Sequence, residues 1–434
     1  MNNETNKNFD VVIVGGGLVG ASLAYALGSA NLDNPLNIAV IEAFEFDDSK
    51  QPSFDSRTVA LSYSSKEIFQ SLGVWSSIEK LGACKIKEIH ISDKTHMGLS
   101  HLRSSEQGTD ALGYVVENLY LGSALYSKMK QLKNIHLFCP ASLNHFTEDA
   151  ANSAYPMSLE LSQNIQTQEK LTQEKQTIKL HTKLMVAADG GDSFVRKTAE
   201  VKTRELDYKQ TAIITNILCD KPHNNIAYER FTDTGPIALL PLQDNNASQN
   251  AYSLVWTLKN EQAETYLNKT DDEFLTALQH RFGNRAGLFI KVAKRVSYPL
   301  TYSRSKETIR SRIAIIGNAA HTLHPVAGQG FNLGLRDAAS LAQIIVDAQQ
   351  QQNDFGDIYY LKQYESWRQR DLLQTSLMTD GMVRLFTTRF LPLVVARNAA
   401  LLAFDLFPSL KKKVGRQAMG FVGKATRLAR GLPL

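Results

Sequence analysis

The chain has 434 residues, 43% of them hydrophobic and 21% charged, and a formal net charge of +5. That size and balance exclude a disordered chain and a disulfide-stapled mini-domain, and leave room for two interlocking domains around a substantial core. Residues 409–434 alone hold Lys411, Lys412, Lys413, Arg416, Lys424, Arg427 and Arg430 with no acidic residue, so the tail supplies more than the whole positive surplus.

Residues 1–9 are polar and include Glu4, and the first apolar run, 11–14, is short, unlike the charged-then-apolar plan of a secretory leader. Cys84, Cys139 and Cys219 lie far apart with no metal-like spacing. Reduced thiols and a cytoplasmic location are therefore expected. A buried-strand pattern at 11–14, a helical pattern at 18–30 and a second strand at 37–42 give the βαβ order of a parallel sheet.

Between the first strand and the helix stands Gly15-Gly16-Gly17-Leu18-Val19-Gly20. Gly15, Gly17 and Gly20 occupy the positions that give a tight turn, close backbone approach to a pyrophosphate, and close helix-on-sheet packing. Glu42 ends the second strand, where a carboxylate accepts hydrogen bonds from ribose hydroxyls and disfavours a 2′-phosphate. Strand, helix, second strand and terminal acid together predict a dinucleotide site rather than a glycine-rich turn that binds nothing.

Helical patterns follow near 62–72 and 119–132. Residues 150–183 are rich in Gln, Thr and Lys and read as an elongated surface hairpin or a mobile loop. A strand at 184–188 ends in Asp189-Gly190, with a helix start at Ser193 and Arg196. Asp189 is suited to orienting backbone amides or a ribose or pyrophosphate group, and Gly190 permits the turn. From about 211 to 256 the βα rhythm gives way to strands, the mark of an inserted antiparallel sheet, in which Phe231, Pro236, Leu239, Leu240 and Pro241 read either as ordinary sheet core, as many of them must be, or as a substrate-side wall.

The strand 313–316 runs into Gly317-Asn318-Ala319-Ala320-His321-Thr322-Leu323-His324-Pro325-Val326-Ala327-Gly328-Gln329-Gly330-Phe331-Asn332-Leu333-Gly334, which opens a long helical pattern. Its glycines and backbone amides sit where a helix N-terminus meets an anionic or electron-rich ligand. His321 and His324 read as structural, since no carboxylate partner is visible for them in the sequence. Beyond Gly334 the chain is helical almost to its end. The apolar run 390–408 is interrupted by Arg397, Asn398 and Asp405, which suits a packed or interfacial helix better than a membrane span. The basic cluster after it fits either a solvated face or a contact with anionic lipid. No nucleic acid is expected as a partner, because no recognised binding module accompanies the charge.

The set Gly15/Gly17/Gly20, Asp189-Gly190 with Ser193 and Arg196, and 317–334 resembles the flavin-dependent aromatic hydroxylases of the p-hydroxybenzoate hydroxylase type. Phe54-Asp55-Ser56-Arg57-Thr58-Val59-Ala60-Leu61 and Leu72-Gly73-Val74-Trp75 are similar to the ubiquinone-biosynthesis branch. Gly317-Asn318-Ala319-Ala320, where the family usually has Gly-Asp, together with Thr322-Leu323-His324-Pro325 most resembles the 2-polyprenyl-6-methoxyphenol hydroxylases.

The resemblance implies an α/β fold: a Rossmann-like FAD-binding domain with a parallel sheet, an interleaved antiparallel-sheet substrate domain and a helical C-terminus. Its expected segments are 1–75, 114–205 and 301–355 for FAD, 76–113 and 206–300 for substrate, and 356–434 for C-terminal helices with a membrane-facing tail. It further implies that Gly15, Gly17, Gly20 and Glu42 hold the ADP half of FAD, that Arg57 reaches the pyrophosphate or ribitol side, and that Asp189 and Gly190 meet the central part. Asn318 would bond the ribitol or pyrophosphate region, keeping an acceptor oxygen but no charge. Pro325, Gly328, Gly330, Phe331 and Asn332 would line the isoalloxazine.

The implied reaction is hydroxylation of a polyprenyl phenol by O2 through a flavin C4a-hydroperoxide, with NAD(P)H docking transiently, in keeping with the single GxGxxG. A base or relay at the phenol hydroxyl is required, and the sequence singles out no residue for it. Implied partners are the inner face of the membrane, a multi-enzyme ubiquinone-biosynthesis complex and, compatibly, a second copy of the chain. A sister hydroxylase of the ubiquinone pathway, a hydroxylase of small soluble aromatic acids and a non-catalytic flavoprotein subunit of a biosynthetic complex are the alternatives.

Overall fold

The computed structural model describes residues 7–45, 57–93, 99–149, 152–166, 173–243, 249–323, 328–387 and 407–434. His324 and Pro325, the 54–56 part of the second motif and nearly all of the apolar run 390–408 lie outside them.

The first strand, Lys7–Val14, pairs in parallel with Ile38–Ile41 on one side and with Gln173–Ala187 on the other. Ile313–Ile315 extends the sheet in parallel beyond Gln173–Ala187, and Ile135–Phe138 extends it beyond Ile38–Ile41. Both faces are covered, which is why residues 11–14 are a continuous apolar run rather than an alternating one. Val11 and Ile13 pack under helices Leu18–Gly28 and Gln329–Gln350, whereas Val12 and Val14 pack with Leu159, Leu161 and Ile315 on the opposite side. The Gln-rich stretch is an antiparallel hairpin of Met157–Gln166 and Gln173–Ala187, in register from Met157 opposite Thr182 to Gln166 opposite Gln173. The hairpin reading was therefore the right one of the two.

A second large sheet runs, among the described residues, in the order His321–Thr322, Val296–Ser305, Thr203–Cys219, Ala251–Lys259, Gly235–Pro241, Ile226–Thr232, Glu88–Asp93 and Leu99–Arg103. It is antiparallel except where Ile226–Thr232 meets Glu88–Asp93 in parallel, the point at which the N-terminal segment is stitched into the later one. Helices Asn260–Leu267 and Asp271–Phe282 cover one face; the second begins with a capping box between Thr270 and Glu273. Trp256, Phe274, Leu254 and Leu278 are among the buried side chains of that layer. A small sheet of Thr58–Ser62, Gly113–Glu117 and Cys84–Ile86 lies at the join of the two large ones. There the Thr58 hydroxyl donates to Ser253 Oγ at 2.8 Å.

The C-terminal segment docks onto the parallel-sheet side. Leu428, Ala429 and Leu434 are buried in its core, the Trp367 indole N–H donates to the Lys424 carbonyl, and Arg427 pairs with Asp347 at 2.5 Å. Lys411 pairs with Glu106, while Lys412 and Lys413 are exposed. Part of the basic surplus thus serves internal pairing. No helix among the described residues is long and apolar enough to cross a membrane. The three cysteines are unbridged.

Candidate cofactor cleft

Three loops that are far apart in sequence leave the C-terminal ends of three adjacent parallel strands: Gly15–Gly17 after Lys7–Val14, Ala188–Gly190 after Gln173–Ala187, and Gly317–Ala319 after Ile313–Ile315. In an open α/β sheet this is where a ligand crevice forms. The crevice is a cleft of about 650 Å³, lined by Gly15, Gly17, Glu42, Arg57, Asp189, Gly190, Asn318 and Phe331 among others.

The N-terminal end is shaped by close backbone approach. Gly15 has φ +101°, and a Cβ there would sit 2.3 Å from the Ala188 carbonyl oxygen. A Cβ on Gly20 would lie 1.9 Å from the Gly15 oxygen, so Gly20 fixes helix against turn and does not line the cleft. The helix Leu18–Gly28 starts at Gly17 with no side-chain cap and no acidic residue in its first turn, leaving its N-terminal amides for an anion. Glu42 accepts from the Gly16 amide at 2.7 Å through Oε2 and from the Phe44 amide at 2.9 Å through Oε1. Each carboxylate oxygen keeps a further lone pair, so the same group braces the glycine turn and can receive ribose hydroxyls.

In the middle of the cleft Asp189 Oδ2 accepts from the Val195 amide at 3.1 Å, whereas its Oδ1 is buried without a hydrogen-bond partner. A buried orphan acceptor costs free energy, which a bound hydroxyl donor would recover. Gly190 has φ +87°, a conformation that turns the chain away from the strand end. Arg196 is structural: it is buried and donates to the Ala319 carbonyl and the Gly191 carbonyl, both at 2.8 Å, tying two of the three loops together. Arg57 stands at the cleft wall with its guanidinium over the Tyr298 ring, 4.9 Å from the centroid.

At the far end the helix Gln329–Gln350 begins from Gly328 at φ +59°, again with no side-chain cap. A Cβ on Gly328 would press on Ala60 at 3.0 Å, while Gly330 has open space around it. Phe331 lines the cleft and stacks on Phe69. The Asn332 side chain is fully engaged inside the protein: its oxygen accepts from the Ser62 amide and the Ser65 hydroxyl, and its nitrogen donates to the carbonyls of Ala60 and Gly328. Its side chain therefore fastens the small sheet to the glycine turn, and only its main chain is left to face a ligand.

One reading fails. His321 does have a carboxylate partner: its Nε2 lies 2.6 Å from Asp337 Oδ2, both residues being buried. Asp337 also accepts from the Gly317 amide at 3.0 Å and, through Oδ1, from Arg368 at 2.6 Å. Arg368 and Arg336 in turn hold Asp371. Burial would raise the Asp337 pKa, but the charges and hydrogen bonds of His321 and Arg368 outweigh it and hold the carboxyl at about 2. The partner was missed because it lies a helix away in the fold; the available signal was Arg336-Asp337 set inside an otherwise apolar helical run. The supposed substrate wall also divides. Leu239 packs under the helices with Tyr228, and Leu240 faces the other way, toward Ala60 and Val115.

The chain matches the family described as "FAD binding domain" over residues 8–371. It is 33% identical over 435 residues to the ubiquinone hydroxylase UbiL of Rhodospirillum rubrum, covering 99% of this chain and 94% of the relative. It is 30% identical over 455 residues to the mitochondrial ubiquinone biosynthesis monooxygenase COQ6 of Danio rerio, covering 96% and 90%. In fold it is similar to the crystal structure of p-nitrophenol 4-monooxygenase PnpA from Pseudomonas putida DLL-E4, with a TM-score of 0.74, 18% identity, and coverage of 96% of this chain and 99% of that one.

Proposed function

Because the chain belongs to the FAD-binding domain family of aromatic monooxygenases, we propose that it hydroxylates the aromatic ring of a polyprenyl phenol in ubiquinone biosynthesis, with 2-polyprenyl-6-methoxyphenol as substrate. The observation that supports the reading is the meeting of three strand-end loops in one cleft lined by Gly15, Gly17, Glu42, Asp189 and Asn318, which offers donors and acceptors of the kinds FAD needs. Overall, one oxygen atom of O2 enters the ring and the other leaves as water, with two electrons and a proton drawn from NAD(P)H and a second proton from solvent. FAD, when bound, supplies the activation of O2.

The chain's own contribution is binding, orientation and exclusion of water. The uncapped amides after Gly17 would hold the pyrophosphate, Glu42 the ribose, and Asp189 Oδ1 a hydroxyl of the linker. The uncapped start of Gln329–Gln350 would offer its amide dipoles to the ring end, where they would favour negative charge. Apolar surface from Ile214, Ile316 and Phe331 keeps that end dry.

Purified protein should be yellow with a flavin spectrum, and Gly15→Ala should lose the flavin, because its Cβ meets Ala188 and its φ is strained. A colourless wild type that takes up no added FAD overturns the reading. Turnover in quinone-lipid vesicles with NAD(P)H and O2 tests the reaction. Lipid analysis after gene deletion tests the substrate: 2-polyprenyl-6-methoxyphenol should accumulate, and accumulation of a different precursor reassigns the ring position.

A further inference from the structure

One row of side chains crosses the second large sheet on the face that meets the cofactor cleft and is only half-buried along its length. Register places Ile91 opposite Glu229, Glu229 opposite Ala238, Ala238 opposite Val255 and Val255 opposite Ile214. Partners in register share a face of the sheet, and all five residues are half-buried. The next row, with Asp93, Phe231, Pro236, Thr257 and Ala212, is buried. On the other side Ala227 and Leu240 pack with Val115 and Ala60 of the small sheet. Beyond Glu229, Ile91 packs with Leu102, Leu112 and Met419, and from Glu229 to Ile214 the row is a half-buried, largely apolar trough between two filled ones. It starts at Ile214, which lines the cofactor cleft, and reaches Glu229 three strands away, about 14 Å at the usual strand spacing.

Glu229 is the one residue of that row with a charge, and its Oε1 is buried without a hydrogen-bond partner. An unpartnered buried carboxylate oxygen is costly unless something donates to it. A phenol ring lying along the trough would bring its hydroxyl to that oxygen and leave the rest of the ring on apolar surface toward the cleft. We propose that Glu229 is the substrate-side base of this protein, accepting the phenolic proton of the ring bound in the trough.

This rests on the phenol reading above. In the step the O–H bond breaks, the proton passes to Oε1, and the bonding pair stays on the phenol oxygen, which enriches the ring for attack on an electrophilic oxygen. The proton returns when the ring leaves. Burial pushes the Glu229 carboxyl up to about 7, with no charged group contributing. That suits a base working near neutrality. Asp93 is the titratable group on the same face of the neighbouring strand, two residues further along. The helix Ile358–Thr387 also packs against Ile226–Thr232, and its buried Arg368 and Asp371 are engaged with one another.

The experiment uses the full-length flavin-loaded protein and two probes, a short-chain prenylated methoxyphenol and its methyl ether, which lacks the proton. Wild type should bind the phenol at least tenfold more tightly than the ether, by flavin difference spectroscopy, and Glu229→Gln should erase most of that preference while keeping its flavin. In turnover, wild-type kcat should rise with pH through about 7, and Glu229→Gln should lose that limb together with roughly 100-fold in kcat. If Glu229→Gln fails to fold, Ala238→Phe replaces it: filling the trough should abolish phenol binding with flavin retained. A phenol preference unchanged in Glu229→Gln, or phenol binding unchanged in Ala238→Phe, overturns the proposal. A wild type that shows the phenol preference, loses it in Glu229→Gln and yet never turns over would sink the monooxygenase reading and leave the role of Glu229 as phenol acceptor standing, because binding is read separately.

Discussion

Asp337 and Glu229 are both carboxylates with buried oxygens, and their surroundings drive them in opposite directions. Asp337 lies under the glycine turn with His321, Arg368 and the Gly317 amide around it, and its pKa falls to about 2. Glu229 lies in an apolar trough with no partner for Oε1, and its pKa rises to about 7. Desolvation acts on both; only Asp337 has cations near enough to overcome it. A carboxylate saturated by its neighbours holds structure together, and one left wanting a donor is available to a ligand.

The strongest way to break this contrast is Asp337→Asn. It leaves Arg368 and Arg336 with one carboxylate between them and weakens the bonds from His321 and Gly317, so a loss of about 3–5 kcal/mol is expected in denaturant unfolding. The sign with pH follows from the lowered pKa. The stabilisation from Asp337 is complete above about 4, its unfolded range, and is lost as pH falls through about 2. The gap between wild type and variant should therefore close on acidification over that window. A near-neutral Asp337→Asn would mean the cluster is not holding the turn.

Glu42 falls between the two extremes, since two amides partly satisfy it and lone pairs remain. Glu42→Ala should weaken FAD retention by roughly 10–100-fold, measured by flavin fluorescence on dilution, with a smaller effect on folding. Unchanged retention would place Glu42 with Asp337 as purely structural.

Glu229→Gln should give the smallest change in stability, and with inverted sign. Wild type carries a carboxyl whose folded pKa is raised, so its stability falls as pH rises from about 4.5 to about 7. Gln removes that fall. Relative to wild type, the variant should gain roughly 1–2 kcal/mol between pH 4 and pH 8 in thermal melts, after allowing for the partial exposure of the side chain. A parallel pH dependence in the two proteins would show that Glu229 is solvated like a surface residue.

Much of the fold was legible because it is written in local signals. The run at 11–14 and the glycines at 15, 17 and 20 follow from strand and turn chemistry alone, and the Gln-rich segment did pair as a hairpin. The antiparallel sheet announced itself through strand alternation, but not its parallel stitch to Glu88–Asp93, which joins residues more than a hundred positions apart. Among site residues, Gly15, Gly17, Glu42, Arg57, Asp189, Gly190, Asn318 and Phe331 do line one cleft. Gly20 and the Asn332 side chain turned inward to packing and hydrogen bonds. Motif position tells which residues are near a ligand, whereas the hydrogen bonds a side chain has already made tell whether it is free to meet one.

The sequence by itself determined the βαβ entrance, the glycine turn, the acid closing the second strand and the long helix opened by glycines, because backbone sterics and periodicity act over a few residues. Tertiary structure alone decided that His321 meets Asp337, that Arg196 is a brace, and that Glu229 sits in a half-buried apolar row rather than beside a cation. Those outcomes depend on strand register and helix packing across tens to hundreds of residues. Desolvation and pairing, which set what a charged group can do, exist only once those distant surfaces have come together.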